Sequence, residues 1–262
     1  MEIDTGASVG TDEGHPLSTH PGSDLVEGRL IKRYKRFLAD CEVPEVGEVT
    51  AHCPNSGSMK TLVDGEPKAW LRHVPDPKRK LKWTLTLLSV RRRGKALVDT
   101  GLPNQLVADA IEAGKIPRLL LKRGQKVHRE IKVGKKSRLD IVIAGEDRPD
   151  ETNGEVYVEV KNVTMLSPVD SERADFPDAV TERGRKHLKE LIRLKQMGHR
   201  AVLFLLLGRS DCSKVGFASD IDPAYSEAIL EAVGEGVEIL SHRLGFRGSR
   251  IHMGDEVPIE LP

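Results

Sequence analysis

The chain has 262 residues, of which 38% are hydrophobic and 31% are charged, and its formal net charge is +1. This length suffices for one large core or two modest ones, and we expect two domains. The longest apolar run, residues 201–207, is far shorter than the roughly 20 residues of a membrane helix, so no membrane span is expected. Cys41, Cys53 and Cys212 lack metal-ligand spacing, which argues against structural zinc and suits the reducing cytoplasm.

Charge is distributed unevenly along the chain. Residues 1–24 are rich in Gly, Ser, Thr, Pro and acids, without the basic and apolar regions of a signal peptide, and they predict a disordered acidic tail. Residues 28–96 carry sixteen basic and seven acidic side chains, whereas residues 97–262 carry twenty-five and twenty-seven. The positive segment suits a polyanion such as a nucleic-acid backbone, although a solvated basic surface has the same composition.

Residues 25–100 predict a small β-rich domain. Gly, Pro and Asn separate strand-like pieces at residues 30–37, 48–52, 69–72, 83–90 and 96–98. Five short strands with turns between them fit an oligonucleotide/oligosaccharide-binding (OB) barrel, whose face accepts extended polyanions. The candidate contacts to a nucleic-acid backbone in this domain are Arg33, Lys35 and Arg36.

Residues 101–242 predict a second domain of mixed α/β type. The predicted elements are a helix at 102–114, strands at 127–133, 138–143 and 156–161, a helix at about 178–197, a strand at 201–207, a helix at about 223–233 and a strand at 237–240. The continuous apolar strand at 201–207 is expected at the centre of the sheet, buried on both faces. Residues 243–262 form a C-terminal extension without a clear helical or strand period.

Two of these strands carry a pattern typical of metal-dependent phosphodiesterases. Asp140 ends the run Ser137–Asp140, and Glu159 and Lys161 share one face of the strand at 156–161. Neighbouring carboxylates offer the oxygen ligands that Mg²⁺ prefers, and Lys161 would orient or activate the attacking water. The alternative is that Glu159 and Lys161 are the solvated face of an ordinary strand and that Asp140 is a turn residue.

Further candidates leave alternatives open. Arg183 and His187 lie one helical turn apart and would contact phosphate or water. The alternative is that they belong to a charged, solvent-exposed helix surface without a binding role. Glu130 would add a metal ligand or pair with Arg138, itself a candidate phosphate contact, across a hairpin. The run from His52 to Ser58 offers backbone N–H groups to a phosphate, or folds as a turn satisfied internally. Its candidate side chains are His52, Asn55, Ser56 and Ser58.

Four motifs, in this order, resemble the sugar fermentation stimulation protein A family. They are His52–Met59, Ser137–Asp140, Glu159–Asn162, and Phe176–Ala179 followed by Arg183–His187. Residues 33–40 also resemble the family, so the resemblance extends from about residue 25 to about residue 242. Ser56 stands where the family usually has Thr, and Arg185 where it usually has Gln. The Asp and Glu-x-Lys arrangement is similar to the PD-(D/E)XK nuclease superfamily. The resemblance implies a PD-(D/E)XK nuclease-like second domain with a mixed central sheet flanked by helices.

The residues and the resemblance together predict a cytoplasmic DNA-binding protein that cleaves phosphodiesters with Mg²⁺ or Mn²⁺. Asp140 and Glu159 would hold the metal, Lys161 would orient the water, and Arg183 and His187 would contact phosphate. Non-specific backbone contacts are expected, because no helix-turn-helix is evident. One alternative is a non-catalytic DNA-binding regulator of sugar (maltose) utilisation genes, since the family is named for a phenotype. Another is a structural interaction module that binds no metal.

Overall fold

The computed structural model describes residues 25–134, 137–147, 149, 151, 154–247 and 250–262, so the predicted tail at 1–24 lies outside the described residues. In this part of the chain the first domain is a six-stranded sheet. Its strands are β1 (Leu25–Tyr34), β2 (Leu38–Val43), β3 (Gly47–His52), β4 (Lys68–His73), β5 (Trp83–Val90) and β6 (Gly94–Leu97). They are ordered β3-β2-β1-β4-β5-β6, and a parallel pairing of His52 with Thr84 also joins β3 to β5.

The turn between β1 and β2 corrects one prediction. A single strand over residues 30–37 is wrong, because β1 ends at Tyr34 and β2 begins at Leu38. Lys35, Arg36 and Phe37 form the turn, in which Lys35 and Arg36 have φ of 47° and 63°. Hairpin turns with two positive φ angles usually contain Asn and Gly, so a Lys-Arg pair carries no turn signal. The prediction for residues 83–90 is confirmed by β5.

The second domain has the predicted mixed α/β order. Its strands are β7 (Lys126–Val133), β8 (Ser137–Ala144), β9 (Val156–Val163), β10 (Met165–Leu166), β11 (Arg173–Phe176), β12 (Arg200–Leu207), β13 (Lys214–Phe217), β14 (Glu238–Arg247) and β15 (Arg250–Glu256). Its α-helices are α1 (Pro103–Glu112), α2 (Glu182–Gln196) and α3 (Pro223–Gly234), and a short 3-10 helix spans Pro117–Leu119; in the first domain, a 3-10 helix at Arg91–Arg93 joins β5 to β6. The main sheet is ordered β15-β14-β12-β9-β8-β7, and β10, β11 and β13 form a smaller sheet.

Strand β12 is the centre of the second domain, as predicted. Residues 201–207 are all buried, and β12 is parallel to both β9 and β14. Val202, Phe204 and Leu206 pack in the core that contains α1, whereas the alternate residues of the strand pack in the core that contains α2 and α3. Burial on both faces explains why the strand is a continuous apolar run.

Two boundaries differ from prediction. The helix expected from about residue 178 begins at Glu182, because the Thr181 side chain accepts the Gly184 N–H and caps it. The strand expected at 237–240 continues as β14 and turns into β15 within the region of the C-terminal extension. The register shift between His242 and Leu244 interrupts the alternation that identifies a strand in sequence.

The two domains are joined by backbone pairing. Leu97 N–H donates to Gly208 O at 2.7 Å, and Ser210 N–H donates to Lys95 O at 2.9 Å, so the end of β6 extends towards the segment after β12. The Asn162 side chain donates to Leu97 O at 2.9 Å. The first domain is therefore fixed against the ends of β9 and β12. No helix among the described residues is long and apolar enough to cross a membrane.

Candidate active site

Asp140 and Glu159 lie side by side on neighbouring antiparallel strands. Ile141 pairs with Val158 and Val142 with Tyr157, a register that places Asp140 opposite Glu159. The Val160 N–H donates to Asp140 Oδ2 at 2.8 Å. The structure thus brings the two predicted carboxylates together, and strand alternation puts Lys161 on the face of Glu159.

Asp140 carries a perturbed carboxyl group. Burial, followed by the negative charge of Glu159, raises its pKa to about 6. The Val160 N–H, the Lys161 ammonium and the Asn104 amide oppose this rise. A carboxyl group whose pKa is raised by burial and by a second carboxylate is a candidate member of a functional site.

Glu159 is almost completely buried, with 1% of its surface exposed. Burial opposes its charge, but hydrogen bonds and charge from His187 and Lys161 outweigh it and lower the pKa of the carboxyl. Both Lys161 Nζ and His187 Nδ1 contact Oε1. The other oxygen, Oε2, is buried without a hydrogen-bond partner. An orphaned carboxylate oxygen is costly to bury, so it marks a position for a ligand.

His187 lies between Glu159 and Arg183. Its Nδ1 contacts Glu159 Oε1, and its Nε2 accepts from Arg183 Nε at 3.4 Å, while its contact to phosphate or water stays a prediction. Because Nε2 accepts, Nδ1 carries the proton and donates to the carboxylate. His187 orients Glu159. Arg183, whose side chain is exposed, is at the solvent end of the hydrogen-bonded series Arg183–His187–Glu159.

Asp140 and Glu159 fit a hard divalent cation. Among the residues that the structure describes, no group of three or more His, Cys, Asp and Glu side chains has the arrangement of a metal site. Mg²⁺, however, is commonly held by one or two carboxylates, with water and substrate phosphate completing its shell. Asp140 and Glu159 supply these two carboxylates, and Glu159 Oε2 is a buried oxygen without a hydrogen-bond partner.

A cleft of about 380 Å³ opens beside these groups, between the two domains. Its walls combine polar residues of both domains with the peptide that leads into α2. They include Asn55, Ser56, Thr100, Asn104, Lys161 and residues 175–181. A substrate in this cleft would contact the first domain and the carboxylate strands at once.

Two backbone amides of the loop from Asn55 to Ser58 donate to side chains of the protein. Gly57 N–H donates to Asn55 Oδ1 at 2.8 Å, and Ser58 N–H donates to Asp178 Oδ2 at 3.0 Å. Arg33 Nη2 donates to the carbonyls of Asn55 and Gly57 at 2.9 and 3.0 Å. A Cβ on Gly57 would lie 2.2 Å from Asp178 Oδ2, so the loop and the peptide before α2 touch. The Gly57 and Ser58 amides are thus hydrogen-bonded within the protein, and Arg33 supports the loop through two of its carbonyl groups.

The remaining predicted residues lie on the β1–β2 turn, at the end of β3 and on the β7–β8 hairpin. Lys35 and Arg36 are exposed on the β1–β2 turn, and His52 ends β3. Arg138 is exposed on β8 and lies 3.6 Å from Glu130 Oε2. Glu130 also accepts a hydrogen bond from Asn104 Nδ2 at 3.1 Å, so it contacts both Arg138 and Asn104.

Sequence reasoning missed Asn104 and Asp178 as parts of the site. Asn104, in the first turn of α1, donates to Asp140 Oδ1 at 2.7 Å. Asp178 holds the Ser58 amide across 120 residues of chain. The sequence also left open the role of Arg185. In the structure, Arg185 Nη1 donates to the two carboxylate oxygens of Asp222 at 2.9 and 3.0 Å. Asp222 caps α3, so Arg185 joins α2 to α3.

Comparison with known proteins decides the family. Residues 31–98 match the SfsA N-terminal OB domain, and residues 101–250 match the sugar fermentation stimulation protein RE domain. The chain belongs to the sugar fermentation stimulation protein family. The predicted family and the OB assignment of the first domain are confirmed.

Relatives match over most of their length. A sugar fermentation stimulation protein homolog of Marinomonas sp. (strain MWYL1) is 42% identical over 91% of this chain and 89% of its own. A homolog of Rhodospirillum rubrum is 46% identical over 82% and 88%. The solved structure of Pyrococcus furiosus SfsA in complex with Ca²⁺ has a TM-score of 0.78 and 26% identity, and the match covers 94% of this chain and 100% of that one.

Proposed function

We propose that this protein binds nucleic acid and hydrolyses its phosphodiester bonds with Mg²⁺ or Mn²⁺. The observation that carries the proposal is the pairing of Asp140 with Glu159, whose Oε2 is buried and unpartnered beside Lys161. Asp140 and Glu159 would hold the ion. A bound divalent ion offsets the charge of the phosphate and lowers the pKa of coordinated water. The Ca²⁺ complex of the Pyrococcus furiosus relative supports an oxygen-ligand site in this fold.

The surrounding side chains have distinct tasks in this proposal. Lys161 orients the attacking water, because its ammonium is the cation next to the carboxylates. Asn104 and the Val160 N–H hold Asp140, and His187 holds Glu159. Fixed second partners of this kind keep ligand carboxylates oriented.

Nucleic acid is the polyanion that fits the charge distribution. The first domain supplies most of the excess positive charge, and the cleft is lined by residues of both domains. Contacts to the sugar-phosphate backbone would be largely independent of base sequence.

A non-catalytic DNA-binding regulator of sugar utilisation genes is the second candidate. One observation favours it: residues 28–96 carry sixteen basic and only seven acidic side chains, an excess that suffices for binding to a nucleic-acid backbone without any metal site. In that case the basic first domain would be the functional part, and Asp140 and Glu159 would have no catalytic role.

A panel of labelled single-stranded, double-stranded and branched DNA and RNA separates the two candidates. Each substrate is incubated with Mg²⁺, Mn²⁺ or EDTA and with wild type, Asp140→Ala or Lys161→Ala. We expect metal-dependent cleavage of at least one substrate, lost in both variants. Binding to DNA without cleavage, equal in all three proteins, would favour the regulator.

A further inference from the structure

The β1–β2 turn exposes two cations and an aromatic ring, which we call the hairpin tip (Lys35, Arg36 and Phe37). Phe37 is 44% exposed, although it is one of the few aromatic residues of this chain. Lys35 and Arg36 both have positive φ. Such backbone conformations are costly for side chains other than Gly and concentrate at functional sites, so the tip is a candidate binding element.

A second basic loop, between β4 and β5, lies at the same end of the sheet as the hairpin tip. The Phe37 ring lies beside the His52 ring, with centroids 6.5 Å apart and planes inclined by 30°. His52 pairs with Thr84, and Arg79 Nη2 donates to Thr84 Oγ1 at 2.9 Å. The loop between β4 and β5 therefore meets the same end of the sheet. Its exposed cations include Lys78 and Lys80.

This end of the sheet also adjoins the cleft. Cys53 N–H donates to Phe37 O at 2.8 Å, which fixes the hairpin tip to the residue that follows β3. Asn55 and Ser56, two and three residues farther on, line the cleft with Lys161. The hairpin tip is therefore linked through residues 53–56 to the wall of the cleft that also contains Lys161.

We propose that the hairpin tip binds single-stranded nucleic acid, with Phe37 stacked on a base and Lys35 and Arg36 on the flanking phosphates. An exposed ring beside cations is the arrangement that binds unpaired bases, because in a duplex the base faces are already stacked on each other. The inference rests on the proposed function and specifies its substrate class.

The test compares Phe37→Leu, which keeps an apolar side chain, with Phe37→Tyr, which keeps the ring. Binding of single-stranded DNA, single-stranded RNA and duplex DNA is measured in EDTA, with 2-aminopurine in the DNA strands to report stacking. Val46→Ala, at an exposed apolar residue of the β2–β3 turn, is the matched control. Folding of each variant is checked by thermal denaturation.

Phe37→Leu is expected to weaken single-strand binding roughly 5- to 100-fold and to remove the fluorescence change, while duplex binding is unaffected. Phe37→Tyr and Val46→Ala should bind like wild type, and the two single-stranded probes identify the sugar that is preferred. Wild-type single-strand affinity in Phe37→Leu, or no single-strand binding by wild type, would overturn the proposal. Because these assays contain no metal, they are independent of cleavage, and a failure of catalysis would leave their result intact.

Discussion

The side-chain amide of Asn104 donates to Asp140 Oδ1 at 2.7 Å and to Glu130 Oε1 at 3.1 Å. One residue of α1 thus bridges two acidic side chains of the hairpin formed by β7 and β8. The helix that follows the first domain therefore sets the position of a candidate metal ligand. This makes Asn104 a positioning residue for Asp140.

Replacing Asn104 tests that role. In Asn104→Ala, Asp140 loses a hydrogen bond that favours its charged form, so the pKa of its carboxyl should rise further. Hydrogen bonds to charged groups contribute about 1.5–3 kcal/mol, and we expect at least a roughly tenfold loss of cleavage at pH 7. The pH profile of cleavage should move its acidic limb upward. Gln105→Ala, at the next position of α1, is the control, and an unshifted profile in Asn104→Ala would contradict the assignment.

The metal-free protein should show the linkage of Asp140 to folding. Its pKa of about 6 lies above the roughly 3.9 of an unfolded Asp, so between these values the native state binds more protons than the unfolded state. Its contribution to stability is therefore present below about pH 4 and is lost as the pH rises to about 6. The loss is on the order of 2–3 kcal/mol.

Urea unfolding in EDTA at pH 4.5 and pH 8 measures this effect. Asp140→Asn cannot ionise, so its stability relative to wild type should increase on going to pH 8. The change should approach the magnitude given above. A difference between the two proteins that does not depend on pH would show that the Asp140 pKa is not raised.

Divalent ions should stabilise the folded protein through the same pair. At a hundred times the Kd, Ca²⁺ or Mg²⁺ should raise the free energy of unfolding by about 2.7 kcal/mol. Lys161→Ala keeps both carboxylates and should retain the effect, whereas Asp140→Asn should lose most of it. Thermal denaturation with and without the ion measures the shift, and an equal shift in Asp140→Asn would locate the ion elsewhere.

A buried ion pair fixes the junction between the domains. The Arg209 and Asp211 side chains are 1% and 0% exposed, and Arg209 Nη1 also donates to Thr164 O at 2.7 Å. Arg209→Ala leaves buried Asp211 with the exposed Arg91, 3.2 Å away, as a remaining cationic partner. The change should cost about 3 kcal/mol of stability, the lower end of the range for breaking a buried ion pair. Arg200→Ala removes a partly exposed pair with Glu238 and should cost about 1 kcal/mol or less. Equal losses of stability in urea unfolding would contradict this distinction.

The parts of the site that lie on strands could be predicted from sequence. Alternation places Glu159 and Lys161 on one face, and two strands joined as a hairpin through the long polar stretch 145–154 place Asp140 beside them. The long apolar run of β12 predicts its central position for the same local reason. Such features depend on residues close in sequence or on burial alone.

The remaining parts depend on contacts that no local pattern encodes. Asn104 reaches Asp140 only because α1 packs on the sheet, and Asp178 meets Ser58 only because the two domains dock. His187 was correctly placed on a helix, but its partner Glu159 follows from how α2 crosses β9. The Lys35–Arg36 turn lacks the residues that mark such turns.

The single-turnover rate at which the wild-type chain cleaves its best substrate with Mg²⁺, compared with the rates of Lys161→Ala and Asp140→Asn, tests whether the carboxylate cluster is a catalytic metal site. Lys122→Ala, at an exposed lysine of the second domain outside the carboxylate cluster, is the control. We expect cleavage by wild type and Lys122→Ala, no cleavage in EDTA, and a loss of at least about a hundredfold in rate in the two site variants. Cleavage that persists in Asp140→Asn and Lys161→Ala at the wild-type rate would contradict this expectation.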